Sequence, residues 1–241
     1  MHSRRCALFV FSCLAAILAA PFALASEARV GEAVVIQNNV VRVAGEATKP
    51  VNVGDSMLRD EVVRTGIDSA ARFVMADSTN LSIGPSATIK LDRTVFNDEH
   101  SYRDIAIRLT TGAFRFVTGH SEKAAYKITT PLATIGVRGT ILDILSQRGS
   151  TTVVLQEGAA SICTLSFQCV QLTQAGDTAI ITLTGGKTTI HKTHGSNGNA
   201  PGWNFAATCA AAAGLCAVST FADASPTISP PVDDGGILCG R

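Results

Sequence analysis

Thr140-Ile141-Leu142-Asp143-Ile144-Leu145-Ser146-Gln147-Arg148-Gly149-Ser150-Thr151-Thr152-Val153-Val154-Leu155 reads as two strands and the turn between them. β-Branched and aliphatic residues fill both arms, with near-alternation in the first. Gly149 sits where a tight hairpin asks for positive φ. The same grammar extends outward from about Val30 to Ile190. Arg72-Phe73-Val74-Met75, Leu81-Ser82-Ile83, Ala87 to Leu91, Ile105 to Leu109, Phe114 to Val117 and Tyr126 to Thr129 are short apolar or alternating runs. Gly, Asn, Asp, Ser or Pro separates them. Val34-Val35-Ile36 and Val40-Val41-Arg42-Val43, on either side of Gln37-Asn38-Asn39, are expected to form a hairpin. No helix-period window interrupts the series, which excludes an α/β fold. An all-β, antiparallel-rich sandwich or a solenoid-like β domain is left.

Composition narrows the function classes. The 241 residues carry 20 Lys plus Arg against 19 Asp plus Glu, a formal charge of +1. A nucleic-acid binder would need a basic patch, so none is expected as a partner. Disorder is disfavoured at 46% hydrophobic residues.

Arg4 and Arg5, the apolar stretch Ala7 to Ala20, Pro21 and Ala23-Leu24-Ala25 read as a secretory signal peptide, 1–25, cleaved before Ser26. An uncleaved anchor helix is the alternative reading of the same stretch. Cleavage would bring the formal charge from +1 to −1 and remove Cys6 and Cys13. No later segment has the length of a spanning helix, so the exported chain is expected without one, in the periplasm or secreted. Its remaining cysteines read as disulfides there. Cys163 and Cys169 join two β-like runs and suit a cross-hairpin bond. Cys209 and Cys216 stand seven apart, about 10 Å along an unbroken helix. Gly214 can end that helix early, so this pair is also favoured, which leaves Cys239 odd. Residues 185–204 have loop composition, Phe205 to Ala217 is the one candidate helix, and 225–236 is an extended tail.

The most distinctive run is Thr129-Thr130-Pro131-Leu132-Ala133-Thr134-Ile135-Gly136-Val137-Arg138-Gly139-Thr140. It resembles the core motif of the FecR domain, a Thr-Pro-x-Ala segment leading to Gly-Val-Arg-Gly-Thr. Gly54-Asp55, Val62 to Gly66, Ala70-Ala71 and Ala87-Thr88-Ile89 precede it, then Leu109 and Gly112, and Val153 to Gly158 follows, in the family's order. The resemblance spans 30–185. The β pattern ends near Ile190, which places the FecR-like β module at 26–190 and a linker and cysteine-containing tail at 191–241. The resemblance also implies a non-enzymatic extracytoplasmic module that senses or relays a signal through protein contacts. In the family's best-known setting the partner is an outer-membrane transporter or signalling protein. The leader stands here where a sigma-binding region would be, so this chain resembles the stand-alone exported members.

Read physically, Pro131 belongs at a strand start, and Gly136 and Gly139 permit a bulge around Val137-Arg138. Arg138 is expected in an apolar neighbourhood, stapled by backbone carbonyls or by Asp143 or Glu157. Thr130, Pro131, Ala133, Gly136, Val137, Arg138, Gly139, Thr140, Glu157 and Gly158 are therefore the motif positions, structural first and partner contacts second.

Other chemistry is thin. His191 and His194 lack accompanying ligands, so no metal is expected, and no cofactor either. Gly185-Gly186-Lys187-Thr188 lacks the leading glycine of a phosphate loop, since position 181 is Ile181. Asp55, Asp60, Glu61, Asp68 and Asp77 read as solvated turn carboxylates. No nucleophile motif supports a hydrolase. A structural or carbohydrate-binding envelope protein, with peptidoglycan as a ligand, is the alternative function. It is weakened by having only Trp203, Tyr102 and Tyr126 as Trp or Tyr.

Overall fold

Among the described residues fifteen strands follow one another. They are β1 (Arg29–Gln37), β2 (Val40–Ala44), β3 (Ala47–Pro50), β4 (Ser56–Leu58), β5 (Val62–Thr65), β6 (Ala70–Met75), β7 (Asn80–Ile83) and β8 (Thr88–Asp98). β9 (Ser101–Val117), β10 (Tyr126–Thr129), β11 (Ala133–Gln147), β12 (Ser150–Thr164), β13 (Cys169–Leu172), β14 (Asp177–Thr184) and β15 (Lys187–His194) complete the set. The computed structural model describes residues 29–98, 101–120 and 126–195, with Trp203, Phe205 and Thr208 beyond them, and only the backbone of 92–98 and 101–104. The leader 1–25, His100, Cys209, Cys216 and Cys239 lie outside the described residues. Of the expected tail helix, Phe205 and Thr208 are helical and the rest is outside.

All fifteen strands belong to one hydrogen-bonded sheet. Every pairing is antiparallel except that of β9 with β10. The sheet doubles over into two layers because β9, β11 and β12 each run through both. In the first layer β3, β2, β5 and β8 lead to the first half of β9, then to β10, the first half of β11, the second half of β12, and β13. In the second, β4, β1, β6 and β7 lead to the second half of β9, then to the other halves of β11 and β12, then β14 and β15. One continuous apolar core lies between the layers, with Ile107, Ile135 and Ile162 from the first and Phe73, Phe114, Phe116, Leu142 and Val153 from the second.

The side-chain parity of the three long strands shows where they bend. In β9 the buried positions are Ile105, Ile107 and Leu109, then Phe114 and Phe116. In β11 they are Ala133, Ile135 and Val137, then Leu142 and Ile144; in β12, Thr151, Val153 and Leu155, then Ala160, Ile162 and Thr164. Successive side chains of a strand point to opposite faces, so a switch from odd to even needs a bulge. Each switch falls at a glycine of positive φ: Gly112 (107°), Gly139 (57°) and Gly158 (85°). The β11–β12 register slips between Arg138 and Leu142, across these glycines.

Two expectations change here. Residues 34–43 do not form a hairpin. β1 pairs with β4 and β6 in one layer, and β2 pairs with β3 and β5 in the other. Asn38 (φ 57°) turns the chain between layers, and the Asn38 side chain donates to the Asp68 carbonyl. An arch and a hairpin share the same turn residues, so local sequence does not distinguish them. Residues 187–194, read as loop, form β15 against β14; Gly185 and Gly186, both at positive φ, make the two-residue turn that joins them.

Asp177 ties this last hairpin to the first layer. Its carboxylate, almost wholly buried, accepts from Lys192 Nζ (2.8 Å) and the amides of Thr173 (2.8 Å) and Gln174 (3.0 Å), and meets His194 Nδ1 at 3.1 Å. Burial alone would raise its pKa. The hydrogen bonds from Lys192, Thr173, Gln174 and His194 outweigh burial and hold it well below the usual carboxylate range. Because the folded pKa is the lower one, this stabilisation is present above the unfolded value of about 4 and is lost as pH falls toward the folded value. Asp177→Asn is expected to lower the urea midpoint above about pH 4 and to bring it toward that of wild type in acid, so that the acid limb flattens; an unchanged acid limb would rule the linkage out.

Candidate functional site

The motif singled out in the sequence forms one corner of the fold and the groove beside it. Thr130 closes the turn between β10 and β11. Its Oγ1 accepts from the Ala133 amide at 3.0 Å and from Thr151 Oγ1 of the other layer at 3.2 Å. Pro131 is exposed in that turn, where its missing N–H costs nothing. Ala133 and Val137 point into the core. At the corner the Thr140 hydroxyl replaces the broken ladder: it accepts from the Arg138 amide (2.8 Å) and donates to the Ala159 carbonyl (3.0 Å). The Thr118 hydroxyl does the same for Thr140, accepting from its amide at 2.8 Å. Gly158 lies opposite, so close that a Cβ there would sit 1.9 Å from the Gly139 carbonyl oxygen. Gly139 and Gly158 are thus requirements of the bend.

Arg138 is not stapled inside. It follows the inward-facing Val137 and so points outward, where it is exposed, and its side chain has no partner among the described residues. Asp143, expected as its counter-ion, faces Arg115 instead, and Glu157 is exposed across from Ile141. Arg138 borders a groove of about 400 Å³ on the outer face of the first layer, with Tyr126, Gly136, Val137, Ala159 to Ser161 and Gln171. Gly136 forms its floor: a Cβ there would meet nothing within 4 Å. Gln171 Nε2 donates to Ser161 Oγ at 2.8 Å, fixing one wall. The site therefore offers one unneutralised guanidinium above a polar wall, suited to a carboxylate or a run of carbonyls.

A larger groove, about 880 Å³, lies along β2 to β5. Arg42 there is already paired with Asp55 (3.4 Å) and Glu61 (3.1 Å), and both acids are thereby engaged.

Two buried polar networks were not legible in the sequence. Asp77, expected as a solvated turn acid, is buried. It accepts from the Tyr126 hydroxyl and from the Thr79 amide and hydroxyl, both at 3.0 Å, while its carbonyl accepts from the His120 amide at 2.8 Å. This joins the β6–β7 turn to the ends of β9 and β10. Asp143 is the second: it accepts from Arg115 Nε (2.7 Å) and Nη2 (2.8 Å) and from Gln156 Nε2 (3.0 Å). Phe205 stacks on that guanidinium at 5.2 Å and packs with Ala70, Ala113, Leu145 and Trp203 against the outer face of the second layer. The only sequence signal for the pair was opposite charges on two runs whose register cannot be read locally.

Cys163 and Cys169 face each other across β12 and β13 and form a disulfide. His191 is exposed on β15, and His194 meets Asp177. Among the described residues no three His, Cys, Asp or Glu converge as a metal site would require, and no helix is long and apolar enough to cross a membrane.

Residues 61–161 match the family model described as FecR protein, and the matched segment runs from just before β5 through most of β12, with the whole corner and its motif inside it. The chain carries a FecR domain. The FecR segment supplies the bent strands, while β1 to β4 and β13 to β15 extend its two layers on either side. Two crystal structures of a proposed anti-sigma factor from Parabacteroides distasonis, at 1.65 and 2.50 Å, are similar at 13% identity with TM-scores of 0.45 and 0.46. The overlap covers 55% of this chain and 59% of theirs, so the chain spans under two-thirds of those proteins. No curated protein matches.

Proposed function

We propose that this FecR-domain chain is an exported, non-enzymatic module that contacts another protein of the bacterial envelope, through the Arg138 groove, to sense or relay a signal. The observation that carries the reading is the outward-facing, unpaired Arg138 inside the FecR motif, beside an open groove floored by Gly136. A buried, stapled arginine would have left the motif purely architectural. Export is supported by the leader-like residues 4–25 and by the Cys163–Cys169 disulfide, a bond that persists in oxidising compartments.

A photo-activatable benzophenone placed at Ser161 tests this in cells. A single envelope protein is expected to cross-link from that position. Arg138→Glu should lower the yield about ten-fold, since charge reversal at a contact opposes association. Its thermal midpoint should not move, because Arg138 is exposed. Retention of wild type and Arg138→Glu alike on peptidoglycan, with no cross-linked protein, would sink the proposal and favour the carbohydrate-binding alternative.

A further inference from the structure

The disulfide closes a loop with unusual contents. Leu165 and Phe167 lie between Cys163 and Cys169 and are 63% and 90% exposed. Phe167 is held at φ 62°, a region that large side chains rarely enter, so its outward direction is imposed by the loop. Three of the loop's backbone amides are satisfied within it. The Thr164 amide donates to the Gln168 carbonyl (2.9 Å), the Phe167 amide to the Thr164 carbonyl (3.0 Å) and the Gln168 amide to Thr164 Oγ1 (3.2 Å). Those three donors need no water, which lowers the cost of bringing this irregular backbone to the headgroup interface.

Its neighbours continue the pattern. The hydroxyls of Ser166 and Thr188 meet at 3.4 Å, which puts the β14–β15 turn beside the loop. Thr188 pairs with Leu183, which is 44% exposed, and the Leu183 amide donates to the Gly149 carbonyl at 2.8 Å, bringing in the β11–β12 turn. One end of the sandwich thus presents Phe167, Leu165 and Leu183 with Lys187 and Arg148, both exposed. From 126 to 195 the only acids are Asp143, Glu157 and Asp177. Asp143 and Asp177 are buried against cations, and Glu157 is at the corner, across from Ile141. Among the described residues no carboxylate forms an ion pair with Lys187 or Arg148.

We infer that this end docks on a bilayer surface bearing anionic headgroups, with Phe167 and Leu165 entering the interface and Arg148 and Lys187 at headgroup level. Separate protruding apolar side chains suit a deformable apolar phase, whereas a protein partner would have to provide a pocket for each. Apolar insertion and cation attraction add, and each cation contributes only modestly, so the contact is peripheral and reversible.

The protein, expressed with its own leader and purified, is to be sedimented with phosphatidylglycerol–phosphatidylethanolamine vesicles and, separately, with phosphatidylcholine vesicles. It should partition onto the anionic vesicles and much less onto the neutral ones. Leu165→Ser with Phe167→Ser, and separately Arg148→Glu with Lys187→Glu, should each weaken binding about ten-fold. All four side chains are exposed, so an unchanged thermal midpoint verifies folding. Phe167→Trp should show a blue-shifted emission and quenching by brominated lipid that Trp203 alone does not. Absence of sedimentation, or equal sedimentation by wild type and both double variants, would overturn the inference. So would loss of an envelope protein cross-link, with vesicle binding unchanged, in the Leu165/Phe167 variant, because the loop would then be a protein knob.

Discussion

Gly158→Ala is expected to destabilise the domain by at least about 3 kcal/mol, the largest effect of any alanine substitution in the FecR motif. The added Cβ would have to share space with the Gly139 carbonyl oxygen 1.9 Å away, and backbone on both sides leaves nothing flexible to yield. A φ of 85° adds its own cost for an L-residue. Two neighbouring glycines calibrate the effect. Gly139 shares the positive φ, at 57°, but a Cβ there meets nothing within 4 Å, so Gly139→Ala should cost only the conformational part, about 1–2 kcal/mol. Gly136 has neither constraint, and Gly136→Ala should lie within about 0.5 kcal/mol of wild type. Urea unfolding followed by circular dichroism gives the ranking. If Gly158→Ala proves no worse than Gly136→Ala, the two strands do not bend together at this corner.

Asp143→Ala should cost about 3–5 kcal/mol, although Asp143 lies outside the motif core. Its removal leaves the Arg115 guanidinium under Phe205 without the carboxylate that neutralises it. In the folded protein the hydrogen bond to Asp143 raises the Arg115 pKa; without Asp143 that support is gone, but a guanidinium is so basic that it stays charged at neutral pH and cannot escape the penalty by losing its proton. Replacing both partners with apolar residues, Arg115→Met with Asp143→Leu, removes the stranded charge and should be milder than Asp143→Ala alone. Thermal or urea unfolding of Asp143→Ala, Arg115→Met and the double variant separates the cases. A double variant as unstable as the sum of two damaging single changes would mean that the pair itself, and not the avoidance of an unpaired charge, holds the outer face together.

The strand content was legible because period-two alternation is a local property, as in Ile105 to Leu109 and Tyr126 to Thr129. The Arg148-Gly149 turn and the Cys163–Cys169 pair were legible for the same reason: each links residues close in the chain. What stayed hidden depended on which strands meet across long separations. Asp77 read as a turn acid because Tyr126, 49 residues later, is what buries it. Asp143 read as a counter-ion for Arg138, five positions away, because its true partner, Arg115, reaches it only through the β9–β11 register.

The sequence by itself determined that this is a chain of short strands with glycines at defined breaks and a FecR motif at 129–140, since backbone preference and side-chain alternation act within a few residues. Only the tertiary structure decided what those glycines do. Gly112, Gly139 and Gly158 bend three continuous strands at the places where their buried faces switch, folding one sheet into two layers. The register of the strand before the bend decided the direction of Arg138. Val137 faces the core, so alternation sends Arg138 to the other face, where it ends in solvent above an open groove, and the bulge beyond it returns Leu142 and Ile144 to the core.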